Sequence, residues 1–368
     1  MANKKLATEK ELLSPPGDTI LETIEHYKIS QVQLAERLGK KPSKVHDLIT
    51  GKEPITLNTA LQLERVLGIA ADFWMSRETR YREKIARLDE SAQAESNVEW
   101  VKHMPLKQLQ SCGQVTTTKA SSEAVNEVLR FFGVASIEVW QTVYEKELEE
   151  FADFRKTDKH TTTIAALAAW LRTGELEVRK LQLPVFDKAA FRQSLETSIK
   201  TLVVTQPNQF EKQLQAICSS AGVAIVYTPC FPNVPVCGAT RWMGNTPLIQ
   251  LTDRYKTADQ FWFTFYHEAG HVLLHGKKEL FIDADTKQGT TDEKEMQANA
   301  FAGKLLLPEG ALDNLTDGFT ETDLVKLAGQ YNTHPGIIVG RLQHLKWVDY
   351  TFGNRLKAKI NLFPKKAG

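Results

Sequence analysis

The sequence predicts an α+β protein, mainly helical, in three parts: an all-helical helix-turn-helix domain over 1–87, a helical connector over 88–184, and a carboxy-terminal domain with a small β-sheet over 185–368. Three observations carry this. At 368 residues the chain exceeds what one hydrophobic core usually serves. Apolar residues recur at helical spacing near the start, in short segments punctuated by glycines. Further on, Gly238-Ala-Thr-Arg-Trp242, a Gly244-Asn245 turn and Pro247-Leu-Ile-Gln-Leu251 read as a β-hairpin.

The bulk composition is that of an ordinary soluble protein, with 42% hydrophobic and 25% charged residues, which excludes wholesale disorder. The longest apolar run, Ile164 to Leu171, is far too short to cross a bilayer, and no apolar stretch follows the first lysines as a signal peptide requires. The expectation is a cytoplasmic protein with no membrane partner. Cys112, Cys218, Cys230 and Cys237 are too few and too irregular for a disulfide framework and are read as packing residues; Cys230 and Cys237 bracket a proline-bearing loop that leaves room for a responsive thiol. The net charge of +1 is uninformative, but residues 28 to 52 hold six Lys/Arg against two acids.

In the amino-terminal part, Ile20, Ile24 and Tyr27 share one helical face, and Ser30 begins a second segment with Leu34, Ala35 and Leu38 that Gly39 ends. Pro42 suits the first position of a further short helix with Val45, Leu48 and Ile49 inward, ending at Gly51. Two short helices joined by a glycine-containing turn form a helix-turn-helix. Ser43, Lys44, His46 and Asp47 are the outward positions that such a second helix offers to a major groove; Gln31 opens the first helix, and Lys40, Lys41, Lys44 and Lys52 can neutralise phosphates. The candidate DNA-contact set is Gln31, Lys41, Ser43, Lys44, His46 and Lys52. A helical packing or dimerisation unit with solvated lysines satisfies the same spacing.

The stretches Pro16-Gly17-Asp18-Thr19-Ile20-Leu21, Gln31-Val-Gln-Leu34-Ala-Glu-Arg-Leu38-Gly39, Leu48-Ile-Thr-Gly51-Lys52, Ala60-Leu-Gln-Leu63-Glu-Arg-Val-Leu-Gly68 and Phe73-Trp74 resemble Xre/Cro-type regulators in their HigA antitoxin branch. Such proteins commonly bind palindromic operators as dimers, so the resemblance implies a double-stranded DNA operator as partner and admits a homodimer. Lys40-Lys41-Pro42 departs from the family pattern, so operator specificity does not carry over.

The middle of the chain reads as helices over 123–132, 137–151 and 164–181, with a hinge loop over 111–122 and an exposed loop over 156–163; Trp140, Tyr144 and Trp170 fall at core spacing.

The segment Phe261-Trp-Phe-Thr-Phe-Tyr-His267-Glu268-Ala-Gly-His271-Val-Leu-Leu-His275 carries the chemistry. His267 and His271, four apart, share a helix face and can reach one ion, with Glu268 beside them as a general base. A catalytic zinc needs a third protein ligand. His275 lies about 12 Å along the helix from His267, too far to share the ion. The metzincin pattern fails at Leu274 and Lys277. Of two acids at the next helix start, Glu293 pairs with Thr290 as a capping box, whereas Glu295 lies on the inward face with Asn299, Ala302 and Leu306. Glu295 is therefore the expected third ligand, with Asn299 one turn later as an acceptor for the outer N–H of a ligand imidazole. Two plainer readings stand beside this one, a zinc-free helix and a zinc that only staples the fold.

The run 263–275, followed by Glu295-Met-Gln-Ala-Asn299-Ala-Phe-Ala302 and Leu305-Leu-Leu-Pro308, is similar to the ImmA/IrrE family of metallopeptidases from about 185 to Val348. That resemblance implies a gluzincin-like core, Zn2+ on His267, His271 and Glu295, Glu268 as base, and a helix-turn-helix repressor or antitoxin-like protein as substrate in a stress, toxin–antitoxin or mobile-element response. The hairpin edge is expected to pair with an extended substrate. His334, or Tyr331 near it, is expected to line the cleft and stabilise the oxyanion. The helical pattern over 324–342 belongs, by the resemblance, to the peptidase domain. The combined expectation is a DNA-binding regulator with zinc-dependent endopeptidase activity; the alternative is a non-proteolytic, antitoxin-like or sensory transcription factor whose zinc domain binds a ligand or metal.

Overall fold

The computed structural model describes residues 9–10, 12–148, 164–206, 209–232, 234–254, 256–277, 279–284, 293–313, 315–316 and 318–363. The protein is α+β and mainly helical, with one small sheet. It divides into two compact units, Met1–Lys102 with Lys119–Glu127, and His103–Thr118 with Val128–Gly368. No helix among the described residues is long and apolar enough to cross a membrane.

The first unit is built on α1 (Pro16–His26), α2 (Gln31–Leu38), α3 (Pro42–Ile49), α4 (Leu57–Leu67) and the long α5 (Ala71–Ser96). Ser30 and Gln33 close a capping box at the start of α2, and Gly39 ends that helix in the left-handed region at φ 65°, which lets the chain turn sharply into α3. The inward residues Ile20, Ile24, Leu34, Leu38, Val45, Leu48, Ile49 and Leu63 form one core around Trp74, whose indole donates to the Ile69 carbonyl at 3.1 Å. Tyr27 departs from the expected inward face. It caps α1 and stays half exposed, its hydroxyl donating to Leu67 O. Gly17 has a strict reason: a Cβ there would overlap the Ile49 backbone, so α1 crosses α3 at backbone contact.

The chain continues through α6 (Val98–Val101), α7 (Leu106–Ser111), α8 (Ser122–Phe132), α9 (Ile137–Trp140), a π-helical turn (Gln141–Glu145) and α10 (Ile164–Val178). The end of the helix expected over 137–151 and the loop expected over 156–163 lie outside the described residues.

In the second unit, α11 (Lys188–Glu196), α12 (Ser198–Thr205) and α13 (Phe210–Ser220) precede a sheet of β1 (Ala224–Tyr227), β2 (Val236–Met243), β3 (Thr246–Leu251) and β4 (Phe281–Ala284), in the order β1-β3-β2-β4. β1 runs parallel to β3, whereas β2 is antiparallel to both β3 and β4. The hairpin is thus β2–β3, but both its strands are interior. Its edge is already paired, by β1 on one side and β4 on the other, which corrects the expectation that this hairpin receives substrate. Among the described residues the outer strands are β1 and β4.

Alternation along the strands assigns the two faces. Ala224, Val226 and Leu248 pack with Val178 of α10, while Ile225, Ile249 and Leu251 join the main core beneath α14 (Ala258–Leu274). α10, which carries the apolar run from Ile164, is therefore an outer layer of the sheet. Gly174 lets it approach closely enough for Gln250 to donate to the Trp170 carbonyl at 2.7 Å. Arg241 bonds Leu171 O and pairs with Glu175, which also takes Arg172. After α14 and β4 come α15 (Glu293–Leu306), α16 (Glu321–Gln330) and α17 (Pro335–His344). None of the four cysteines forms a disulfide; Cys218 and Cys237 are buried, and burial raises the Cys230 thiol, which faces carbonyls of its own loop.

Because the space at Gly17 is filled by backbone, Gly17→Ala is expected to destabilise the first unit by about 1–3 kcal/mol, seen by calorimetry as a downshifted transition. An unchanged melting profile would contradict the close crossing of α1 and α3.

Candidate metal centre

The helix α14 is held in one rotation by its aromatic face. Phe261, Trp262, Phe265 and Tyr266 are buried in the main core, and the Tyr266 hydroxyl donates to Leu195 O at 2.8 Å. With that face inward, His267 and His271 come to lie together on the side facing α15. Gly270 sits against Ala298 and Phe301, where a Cβ would already be at 3.2–3.5 Å from the nearest atoms, so α15 lies close. The last carbonyls of α15, Leu305 and Leu306, receive the Lys200 ammonium at 2.6 and 3.0 Å. Burial brings that lysine down to about 8.

This packing brings three donor atoms together. His267 Nε2 and His271 Nε2 are 3.0 Å apart, and Glu295 places one carboxylate oxygen 3.2 Å from the first and the other 3.4 Å from the second. A tetrahedral zinc with bonds of about 2.0–2.1 Å holds its ligand atoms about 3.3 Å apart, so the spacing fits. Among the described residues this is the one cluster of three or more His, Cys, Asp or Glu able to hold a metal. The nitrogen–oxygen donor set is one zinc accepts, and two neutral imidazoles with one carboxylate leave a fourth position for water or substrate. Without a cation, the two facing imidazoles cannot both be protonated. Burial opposes the charge on His267, but Glu295 and Glu268 outweigh it and raise that ring's pKa, whereas burial and the neighbouring His267 push His271 down.

Glu268 is fully buried, and neither carboxylate oxygen has a hydrogen-bond partner among the described residues. Burial raises it to about 8. Its side chain lies against Gly238 of β2, where a Cβ would come within 2.8 Å of Oε1, while the Thr240 hydroxyl bonds the Glu268 main-chain carbonyl at 3.1 Å. Asn299 accepts from or donates to His267 Nδ1 across 3.0 Å, and His271 Nδ1 lies 2.9 Å from His275 Nδ1. Phe281, in β4, stacks on the His271 ring at 4.0 Å.

Two family models match the chain. One, described as an IrrE N-terminal-like domain of the M78 peptidases, covers residues 218–343; the other, described as helix-turn-helix, covers 20–74. The chain joins an Xre-type helix-turn-helix to an IrrE-like domain. Over 78 residues it is 31% identical to virulence-associated protein I of Dichelobacter nodosus, a match spanning 21% of this chain and 72% of that protein. The IrrE-like domain belongs to a metallopeptidase family.

Within the IrrE-like domain, His334 is not among the three clustered donors. It is the N-cap of α17, its Nδ1 accepting from Gly336 N at 3.1 Å, and burial lowers its pKa against the opposing charge of Asp259 in the first turn of α14. Asp259 is eight residues from His267, about 12 Å along the helix. Tyr331 packs in a satellite core with Leu324 and Leu342. His334 thus caps α17, and Tyr331 ends α16 and packs in the satellite core. The capping box expected at Thr290 lies outside the described residues. Gly238, Phe281 and the outer contact of His275 were missed by sequence reasoning. Only His275 had a signal, its spacing of four from His271.

In the helix-turn-helix domain, Gln31, Lys41, Ser43, Lys44, His46 and Lys52 are all exposed. Lys44 is engaged with Glu53 at 2.6 Å, which raises its pKa, so it is less available to a phosphate than its position in the sequence implies.

Lys200→Met leaves two half-buried carbonyls at the end of α15 without their donor and is expected to cost about 1–3 kcal/mol in thermal unfolding. The folded-state value of Lys200 lies below its ordinary 10.5, so the unfolded chain binds more protons between pH 8 and 10.5. The contribution of Lys200 to stability consequently rises with pH across that window, and the gap between wild type and Lys200→Met should widen there.

Proposed function

We propose that the chain is a DNA-binding transcriptional regulator whose IrrE-like domain is a zinc-dependent endopeptidase. The observation that carries this is the triangle of His267, His271 and Glu295 donor atoms with the unpartnered carboxylate of Glu268 beside it. Zinc bound there would supply a Lewis acid toward a scissile carbonyl and toward water. Glu268 takes the proton of the attacking water and delivers it to the leaving amine. Gly238 and Thr240 hold it from behind. β4, paired with β2 and carrying Phe281 against His271, offers its other edge to an extended substrate backbone.

The substrate is a helix-turn-helix repressor or antitoxin-like protein, or the chain's own linker, in a stress, toxin–antitoxin or mobile-element response; the family match and the fused DNA reader support this class. The exposed Gln31, Lys41, Ser43, His46 and Lys52 read or grip an operator in the cytoplasm, with two copies on a palindromic site.

Glu268→Gln is expected to keep zinc while slowing cleavage by about 100-fold or more, read by mass spectrometry of the chain and of helix-turn-helix proteins encoded beside it. Undiminished processing in that variant would exclude the mechanism. For the DNA half, Lys41→Ala with Lys52→Ala should weaken binding to all sequences alike and reduce the salt slope by about 2; an unchanged slope would remove these lysines from the interface.

A further inference from the structure

A histidine that gives its Nε2 lone pair to a cation carries its proton on Nδ1. For His267 that proton meets Asn299 Oδ1 at 3.0 Å, an acceptor whatever its surroundings. For His271 it meets another imidazole, His275 Nδ1, at 2.9 Å. That nitrogen can accept only if the proton of His275 sits on Nε2. His275 Nε2 lies 3.1 Å from Gln297 Oε1, an acceptor, and Gln297 Nε2 in turn donates to Glu293 Oε1 at 3.1 Å. Every donor in the series faces an acceptor, in one direction only.

The backbone makes this arrangement possible. His275 is the C-cap of α14, with extended dihedrals of φ −114° and ψ 172°, and its N–H still closes onto His271 O at 3.1 Å. Leaving the helix there allows the ring to turn back over His271 instead of continuing along the axis. Phe281 flanks both rings, with centroids 4.0 Å from His271 and 5.2 Å from His275.

We propose that His275 is a positioning residue for the metal centre: a hydrogen-bond relay from His271 through His275 to Gln297 and Glu293 fixes the tautomer and orientation in which His271 binds metal. The proposal rests on the metal reading given above. It makes α15 supply the ligand Glu295 and also the outer partners of both ligand imidazoles, Asn299 directly and Gln297 through His275.

The test is zinc affinity of the full chain, by competition with a chromophoric chelator, with the Co2+ absorption spectrum as a second readout. His275→Leu keeps the bulk and removes the acceptor, and should weaken zinc by about 10–100-fold. His275→Gln restores an acceptor oxygen and should return affinity to within about threefold of wild type, with the wild-type Co2+ spectrum. Equal affinity in His275→Leu and wild type, or equal weakening in the Leu and Gln variants, overturns the relay. Gln297→Leu keeps both histidines and decides the matter should His275→Leu fail to fold: weakened zinc supports the relay and unchanged affinity overturns it. A wild-type chain that binds no zinc overturns the metal reading itself, a different failure from wild-type binding that His275 does not influence.

Discussion

The close contact of α14 with α15 at Gly270 and Ala298 is the constraint on which the second unit depends. An imidazole pair on one helix and a carboxylate on another can meet at one point only when the two backbones lie near each other, and any side chain larger than hydrogen at 270 would meet Phe301 and Ala298. The aromatic face of α14, buried from Phe261 to Tyr266, sets which way the histidines point, while Lys200 secures the far end of α15. The donor triangle is the outcome of rotation, distance and anchoring acting together.

A second consequence of close approach is the state of Glu268. β2 brings Gly238 and Thr240 to the face of the sheet beneath α14, so the carboxylate is enclosed by backbone and apolar atoms and its pKa rises. The opposite face of the same sheet is also polar in places, and there Arg241 and Arg172 pair with Glu175, while Arg241 and Gln250 bond carbonyls of α10. The two carboxylates differ: Glu175 is paired with two guanidinium groups, whereas both oxygens of Glu268 are left without a hydrogen bond among the described residues, as expected of a group whose partners are reactants.

In the first unit the corresponding constraint is the crossing of α1 and α3 at Gly17, which together with the capping box of α2 and the left-handed Gly39 presents α3 outward. Ser43 and His46 of that helix are exposed, while Lys44 is engaged by Glu53. Charge counting along the chain could not see this pairing, because Glu53 lies nine residues away, past the end of the helix.

Local pattern was enough for the features that depend on local spacing. Ser30, Gly39 and Pro42 mark helix ends through their own backbone preferences, the i,i+4 interval of His267 and His271 places two imidazoles on one face of any helix, and the position of Glu295 among Asn299, Ala302 and Leu306 identifies an inward face. Tertiary structure alone decided what depends on contacts between distant segments. Among the described residues the order β1-β3-β2-β4 places the hairpin inside the sheet and β4 at its edge, α10 joins the sheet instead of serving only as a connector, Gly238 lies against Glu268, and His334 caps α17. His275 shows the division in one residue: its distance from His267 along the helix excludes it as a ligand from sequence alone, but its partnership with His271 arises only because the chain leaves the helix at that position and turns the ring back. Helical periodicity is a property of neighbouring peptide units, whereas strand order, edge position and hydrogen-bond direction are properties of segments that meet only after the chain has folded.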